Sequence, residues 1–254
     1  MAILYVAAEA AELKPMAGVL TGLRKLKWPV DYAFEGIWEG RRILLAANGA
    51  GPKLASQVVE IALRAAMAAE LSSSKLEAVV STGYCGGLDP ALRESEIVVA
   101  TEVVCRGTGE RFVCGKVISD GAFATGPLVS QDRIASDAAE KTRLFSDGSI
   151  AVDMESAGVA ARTKRAGLPF FCIKVVSDRA DESFEIDFNG MRSPEGRIAR
   201  GKIIVHALTH PRLLPALLRL RRRTEDASKV LGEFLVGSRI IAESNSADAG
   251  LSQG

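Results

Sequence analysis

The chain has 254 residues, 48% of them hydrophobic, and its 32 lysines and arginines against 31 acidic residues leave a formal charge of +1. A balance this even provides no global field for nucleic acid, and the length suffices for one substantial core without forcing a second domain. The 4 cysteines lack C-x-x-C spacing and the chain has 2 histidines, which argues against zinc and disulfide scaffolds, so reduced thiols and no metal are expected. We expect one domain over 1–236 and a disordered tail over 237–254, rich in Ser, Ala, Asp and Gly. No stretch reaches membrane-span length and no basic leader precedes the first apolar run, so a soluble cytoplasmic protein is expected.

In chain order, Ala2 to Ala8 reads as a strand leading into Glu9 and Glu12, with Leu13, Met16, Val19 and Leu20 at helical spacing behind them. Tyr32 to Glu39 and Arg41 to Ala47 form a hairpin about Glu39-Gly40. The glycine-rich Asn48 to Pro52 opens an Ala-rich helix from Lys53 to about Leu71 and leaves backbone N–H groups for an anion. After the polar Ser72 to Ser74, a buried strand over Leu76 to Ser81 runs into the glycine turn Thr82 to Pro90. Another strand covers Glu96 to Cys105, Gly107 to Gly115 is Gly/Thr/Arg-rich and mobile in character, and Phe112 to Ile118 adds an edge strand.

The stretch from Ile150 to Asp181 is the most informative. Ile150 to Val152 is a short apolar run, an Ala-rich helix closes after Ala166 at Gly167 with Pro169 beyond, and Phe170 to Val176 is long enough for a buried strand. A strand-helix-strand crossover predicts two parallel strands whose carboxyl ends share one rim of the sheet. Asp153 and Glu155 leave the first strand and Asp178 the second, so three carboxylates gather where open α/β sheets place ligands. Asp153 alone we read as complementing the helix dipole. Beyond it, Glu182 to Arg197 is a polar connection or lid, Ala199 to Leu208 a helix, and 212–223 a basic amphipathic helix with leucines opposite Arg212, Arg219, Arg221, Arg222 and Arg223. The leucine face is read as packed on the domain or on a twin subunit; the alternative is peripheral contact with an anionic membrane.

Two motifs within this stretch resemble the nucleoside phosphorylase superfamily, in particular its methylthioadenosine and S-adenosylhomocysteine nucleosidases. That family carries V-x-M-E-x-A and then S-D-x-A-D; here these are Val152 to Ala157 and Ser177 to Asp181. The resemblance implies a three-layer α/β fold with a central mixed β-sheet flanked by helices. It implies that Met154 packs on the ribose, Glu155 binds its hydroxyls, Ser177 lies beside them, and Asp178 is the general acid for the departing purine. It makes Glu12 the base that deprotonates water, with Glu9 an offset alternative and a first-turn helix role the competing reading.

The Thr82 to Pro90 turn matches the family's N-T-G-S-A-G-G segment, which places Gly83 and Tyr84 against ribose and nucleophile. Ser81 stands where phosphorylases of the superfamily place a phosphate-binding arginine, which argues against phosphorolysis. Arg24, Arg106 or Lys53 would have to reach the site for phosphate to serve as co-substrate; no other cofactor is implied. Ala122 to Ser130 resembles the S-G-D-x-F turn, with Val129 in place of the purine-stacking aromatic, Pro127 in place of the acid, and Ser130 following. The implied partner is a small-molecule nucleoside, and a homo-oligomer follows by analogy.

The S-x-G-x-x-G-G-L-D-P turn and the H-P-x-L-L-P-x-L-L-x-L helix look most like hopanoid-associated phosphorylases, which implies an adenosine joined to a polycyclic lipid. Methylthioadenosine, S-adenosylhomocysteine and futalosine hydrolysis are the alternatives on small substrates. A protein that binds nucleosides without cleaving them is the alternative of another class, and intact Glu155 and Asp178 speak against it.

Overall fold

The computed structural model describes residues 2–68, 75–184, 187, 189–190 and 214–241. The elements are β1 (Ala2–Ala7), α1 (Ala10–Ala17), β2 (Thr21–Lys25), β3 (Tyr32–Trp38), β4 (Arg41–Ala47), α2 (Pro52–Met67), β5 (Leu76–Gly87), β6 (Ile97–Cys105), β7 (Arg111–Val113), β8 (Lys116–Ser119), β9 (Ala124–Ser130), α3 (Ala138–Ser146), β10 (Ala151–Asp153), α4 (Ser156–Arg165), β11 (Phe170–Asp178), α5 (Leu214–Gly237) and β12 (Ser238–Ile241).

A mixed sheet in the order β10-β9-β6-β11-β5-β1-β4-β3-β2 forms the middle layer, with β7 beside β6. β1 is buried on both faces, so its residues alternate between two cores rather than between core and solvent. Leu4 and Val6 meet α2 and α4 on one side, and Ile3, Tyr5 and Ala7 meet α1 and α5 on the other. This is the three-layer α/β architecture expected. The helices α2 and α4 cross so closely that a Cβ on Gly158 would lie 2.1 Å from the Pro52 carbonyl oxygen. The expected hairpin joins β3 and β4, and its turn uses positive φ at Glu39 and Gly40 (46° and 75°).

Four expectations are corrected. First, β10 and β11 are not parallel neighbours: β11 runs parallel to β5, whereas β10 pairs with β5 antiparallel and closes β5, β11, β6, β9 and β10 into a ring. The handedness rule assumes two strands of one open sheet, and here the crossover ends on the far side of the closure. The carboxylates converge all the same, because Val152 and Asp178 both lie opposite Gly86, with a β-bulge between Val176 and Asp178. Second, the glycine turn after Ser81 continues β5 to Gly87. Third, the tail boundary moves, because Ser238–Ile241 pair with β8; residues 242–254 lie outside the described set, as do the expected helix over 199–208 and most of the connection over 182–197. The edge strand expected over 112–118 is two strands, β7 and β8, divided where Gly115 passes over the Phe171 ring.

A buried ion pair ties the layers together beneath the ring. Lys174, in the middle of β11, places Nζ 2.8 Å from Asp153 Oδ2 and 2.9 Å from the Thr82 carbonyl oxygen, with both charged side chains fully buried. Asp153 also accepts from the Ser156 backbone N–H at 3.1 Å, so it caps α4 as a complement to the helix dipole. Lys174→Met should cost about 3–5 kcal/mol, because it leaves the Asp153 charge buried without its partner. Urea denaturation measures this, and an unchanged midpoint would contradict it.

Candidate active site

The rim of the ring opens into a cavity of about 250 Å³. Glu12, Tyr84, Met154, Glu155, Ser177 and Asp178 all border it. The residues predicted from β1, the glycine segment and the two motifs therefore meet in one place.

Glu12 lies in the first turn of α1 and is 2% exposed. Its two oxygens are held by backbone donors, Oε1 by the Tyr84 N–H at 2.8 Å and Oε2 by the Glu9 N–H at 2.6 Å. Gly83 makes this approach possible: its φ is +114°, and a Cβ there would sit 2.3 Å from Glu12 Oε1. Burial pushes the Glu12 carboxyl up to about 7; the Glu9 backbone bond opposes this, Glu155 adds to it, and Tyr84 N–H and Lys174 lower it. A carboxyl buried in the fold and poised near neutrality suits a proton acceptor.

Glu155 precedes α4, and its Oε1 accepts from the Gly51 N–H at 2.9 Å. Gly51 belongs to the glycine-rich turn that the sequence offers to an anion, so a carboxylate of the chain itself occupies that donor. Burial, and after it the Asp153 charge, push the Glu155 carboxyl upward, against the pull of Lys174. Met154 lies against the cavity beside it.

Asp178 ends β11 and is 5% exposed. Ser177 Oγ donates to Oδ1 at 2.7 Å, and Lys141 Nζ, from α3, donates to Oδ2 at 2.5 Å. A Cβ on Gly86 would lie 3.1 Å from the same Oδ2, a tight contact that would press on the carboxylate. Tyr84 contributes its ring to the cavity, while its hydroxyl bonds the Thr224 carbonyl oxygen at 3.0 Å and Ser228 on α5. That hydroxyl serves the helix contact and does not take the place of the small hydroxyl residue of the family pattern.

Val129 and Ser130 do not border the cavity. Val129 packs with Leu88, Ala135, Leu144 and Val152, and Ser130 Oγ accepts from the Ala157 N–H at 3.1 Å. The alternation along β9 turns Val129 inward, and the wall is built after the strand has ended, by Arg133, Ile134 and Ala135. Ser130-Gln131-Asp132 then matches the start of S-G-D-x-F, with Ile134 in the aromatic position. Phe184 supplies an aromatic ring at the cavity from the opposite segment. The S-x-D triplet is the sequence signal for this register and the leucine face of the basic helix is the one for Leu220; Lys141 and Phe184 have none.

Arg24, Arg106 and Lys53 form no phosphate clamp. Arg24 pairs with Glu35, Arg106 pairs with Asp147 at 2.6 Å, Lys53 is exposed, and none borders the cavity. Ser81 is fully buried against Ser156 Oγ at 2.9 Å. Arg133, which does border the cavity, is paired with Glu140. Among the described residues no helix is long and apolar enough to cross a membrane, and no cluster suits a metal ion. The helix α5 packs Ala227, Leu231, Phe234 and Leu235 into the core, while in its basic segment Leu218 remains 58% exposed and Arg223 pairs with Glu182 at 2.8 Å. Arg212 and Leu213 lie outside the described residues.

This fold and this cluster define an enzyme of the nucleoside phosphorylase and nucleosidase class, which cleaves N-glycosyl bonds. The family model described as "Phosphorylase superfamily" matches residues 29–116 and 104–209, and the chain belongs to that family. The 5'-methylthioadenosine/S-adenosylhomocysteine nucleosidase of Actinobacillus succinogenes is 25% identical over 220 residues, covering 74% of this chain and 90% of the relative. The nucleosidase of the same name from Streptococcus pneumoniae, solved with a transition-state inhibitor, superposes with a TM-score of 0.69 at 17% identity, over 93% of this chain and 97% of that one. The fold is also that of the futalosine hydrolase of Helicobacter pylori, with a TM-score of 0.64 and 17% identity over 92% and 95% of the two chains.

Proposed function

We propose that the protein hydrolyses the N-ribosidic bond of an adenosine-type nucleoside and releases the purine. The observation that carries this reading is the placement of two buried carboxyl groups, Glu12 and Asp178, on one small cavity whose lining they share with Met154 and Glu155. Cleavage passes through an oxocarbenium-like sugar, which needs a proton for the leaving base and a nucleophile on the opposite face. Asp178 delivers the proton to the purine as the glycosidic electron pair moves onto the base. Glu12 takes a proton from water, whose oxygen bonds to the anomeric carbon. Glu155 binds the ribose hydroxyls, Met154 packs on the sugar, and Ile134 and Phe184 enclose the purine.

Water is favoured over phosphate because the arginine position is Ser81 and the remaining cations considered are paired or lie away from the cavity. The curated relatives are named for methylthioadenosine and S-adenosylhomocysteine, which supports a small thio-substituted 5′ group. One observation favours a bulkier apolar 5′ group, such as the hopanoid reading implies: Leu220, from the arginine-rich turn of α5, borders the cavity.

The test is base release from 5′-substituted adenosines, including a lipid-bearing one, with and without phosphate. Release without phosphate is expected from the thio-substituted nucleosides. Strict dependence on phosphate would overturn hydrolysis, and preference for the lipid-bearing nucleoside would overturn the small-substrate reading.

A further inference from the structure

The cluster contains one group with no part in the reaction so far. Lys141, on α3, is fully buried, and its ammonium reaches three features: Asp178 Oδ2 at 2.5 Å, the Arg179 carbonyl oxygen at 2.6 Å and the face of the Phe184 ring at 5.6 Å. Ser177 Oγ lies 2.7 Å from the other oxygen and has a second acceptor in the Cys85 carbonyl oxygen at 3.2 Å, so it is the ammonium on Oδ2 that gives Asp178 the setting of a carboxylate. A carboxylate has no proton to give a leaving purine. The geometry of the free enzyme therefore leaves the general acid without its proton, and places a protonated amine in contact with it.

We infer that Lys141 is the proton source of the reaction: it acts through Asp178, as a positioning residue that loads the acid when substrate is bound. This inference rests on the proposed hydrolysis. The ion pair and its neutral tautomer, amine beside carboxylic acid, contain the same proton. A nucleoside that fills the cavity and excludes water removes the solvation that favours separated charges, so the proton moves from Lys141 Nζ to Asp178. As the carbon–nitrogen bond breaks, its electron pair enters the purine ring and the Asp178 proton passes to a purine nitrogen. This leaves a carboxylate beside a neutral lysine. The attacking water meanwhile gives hydroxide to the sugar and a proton to Glu12. Return of that proton from Glu12 to Lys141 through solvent, once products leave, restores the starting state and closes the balance.

Lysine suits this task and arginine does not. The ammonium loses its proton readily in a dry site, whereas a guanidinium retains it. The Asp178 ion pair alone could be met by either residue, so the two predict different outcomes on exchange.

The experiment measures kcat for base release and the affinity for the matching C-nucleoside, whose carbon–carbon link cannot be hydrolysed, in wild type, Lys141→Met and Lys141→Arg. Both variants should lose about 100-fold or more in kcat, the scale of a missing acid, while C-nucleoside affinity changes little. Wild-type kcat in Lys141→Arg would show that charge suffices and overturn proton delivery. Affinity falling in step with kcat, or loss of the folded state in both variants, would assign Lys141 to architecture and overturn it as well. A wild type that binds the C-nucleoside yet releases base from no adenosine would overturn the proposed hydrolysis itself, a result distinguishable from all of these.

Discussion

Glu12→Gln lowers kcat/KM for base release by about 10²–10⁴-fold, the range for loss of a positioned base, with little change in KM. The amide keeps the shape of the side chain but cannot take a proton from water. The pH profile supplies a second check. Burial holds the Glu12 carboxyl at about 7, so wild-type kcat/KM should rise with pH to a bend near 7 and flatten above it. The residual rate of the variant should lack that bend. The same shift acts on stability with a definite sign. The carboxyl moves from 4.5 up to about 7 on folding, so the folded chain holds a proton that the unfolded chain releases between these values. Its contribution is full below pH 4.5 and is lost as pH rises through 7. Thermal melts of the wild type across this window should show the decline, and a flat kcat/KM through pH 7 would remove Glu12 from the mechanism.

Asp178→Asn should reduce turnover by about 10³-fold or more, and the ion pair adds an effect on stability. The carboxamide oxygen can still accept from Lys141, but the ammonium, fully buried at 0% exposure, then has no counter-charge. Loss of one partner of a buried pair costs about 3–5 kcal/mol, so the single variant should have a clearly lower urea midpoint. Adding Lys141→Met should recover much of that stability and none of the activity. A single variant as stable as wild type would show that the pair contributes nothing to the fold, and an active one would refute the assignment of Asp178.

Much of the site was legible because its signals are local. Met154-Glu155 and Ser177-Asp178 are adjacent pairs on recognisable strand ends, and Glu12 follows an unambiguous first strand. The residues that escaped depend on tertiary contacts. Lys141 lies in Ala-Ala-Glu-Lys-Thr-Arg, a sequence that reads as a solvated helix face, and only the docking of α3 under Asp178 buries it. Phe184 is a single apolar residue in a polar segment, with no periodic partner. Aligning Ala122 to Ser130 with the S-G-D-x-F turn brings Val129 to the base, whereas the strand's alternation directs it into the core. The direction of β10 was hidden as well: Ala151–Asp153 are too few residues to show on which side of a closed ring they pair.

The bond from the Gly51 N–H to Glu155 also decides what the glycine-rich turn can offer to a solute. The Glu155 carboxyl is tethered to the chain, and tethering gives it a local concentration on the order of millimolar or more. Any free anion that sought the same cradle would have to displace this built-in competitor and leave Glu155 buried without its donor. The donor that the glycine-rich turn offers in the sequence is thus filled from within the chain, so a solute anion meets a contest there rather than an open seat.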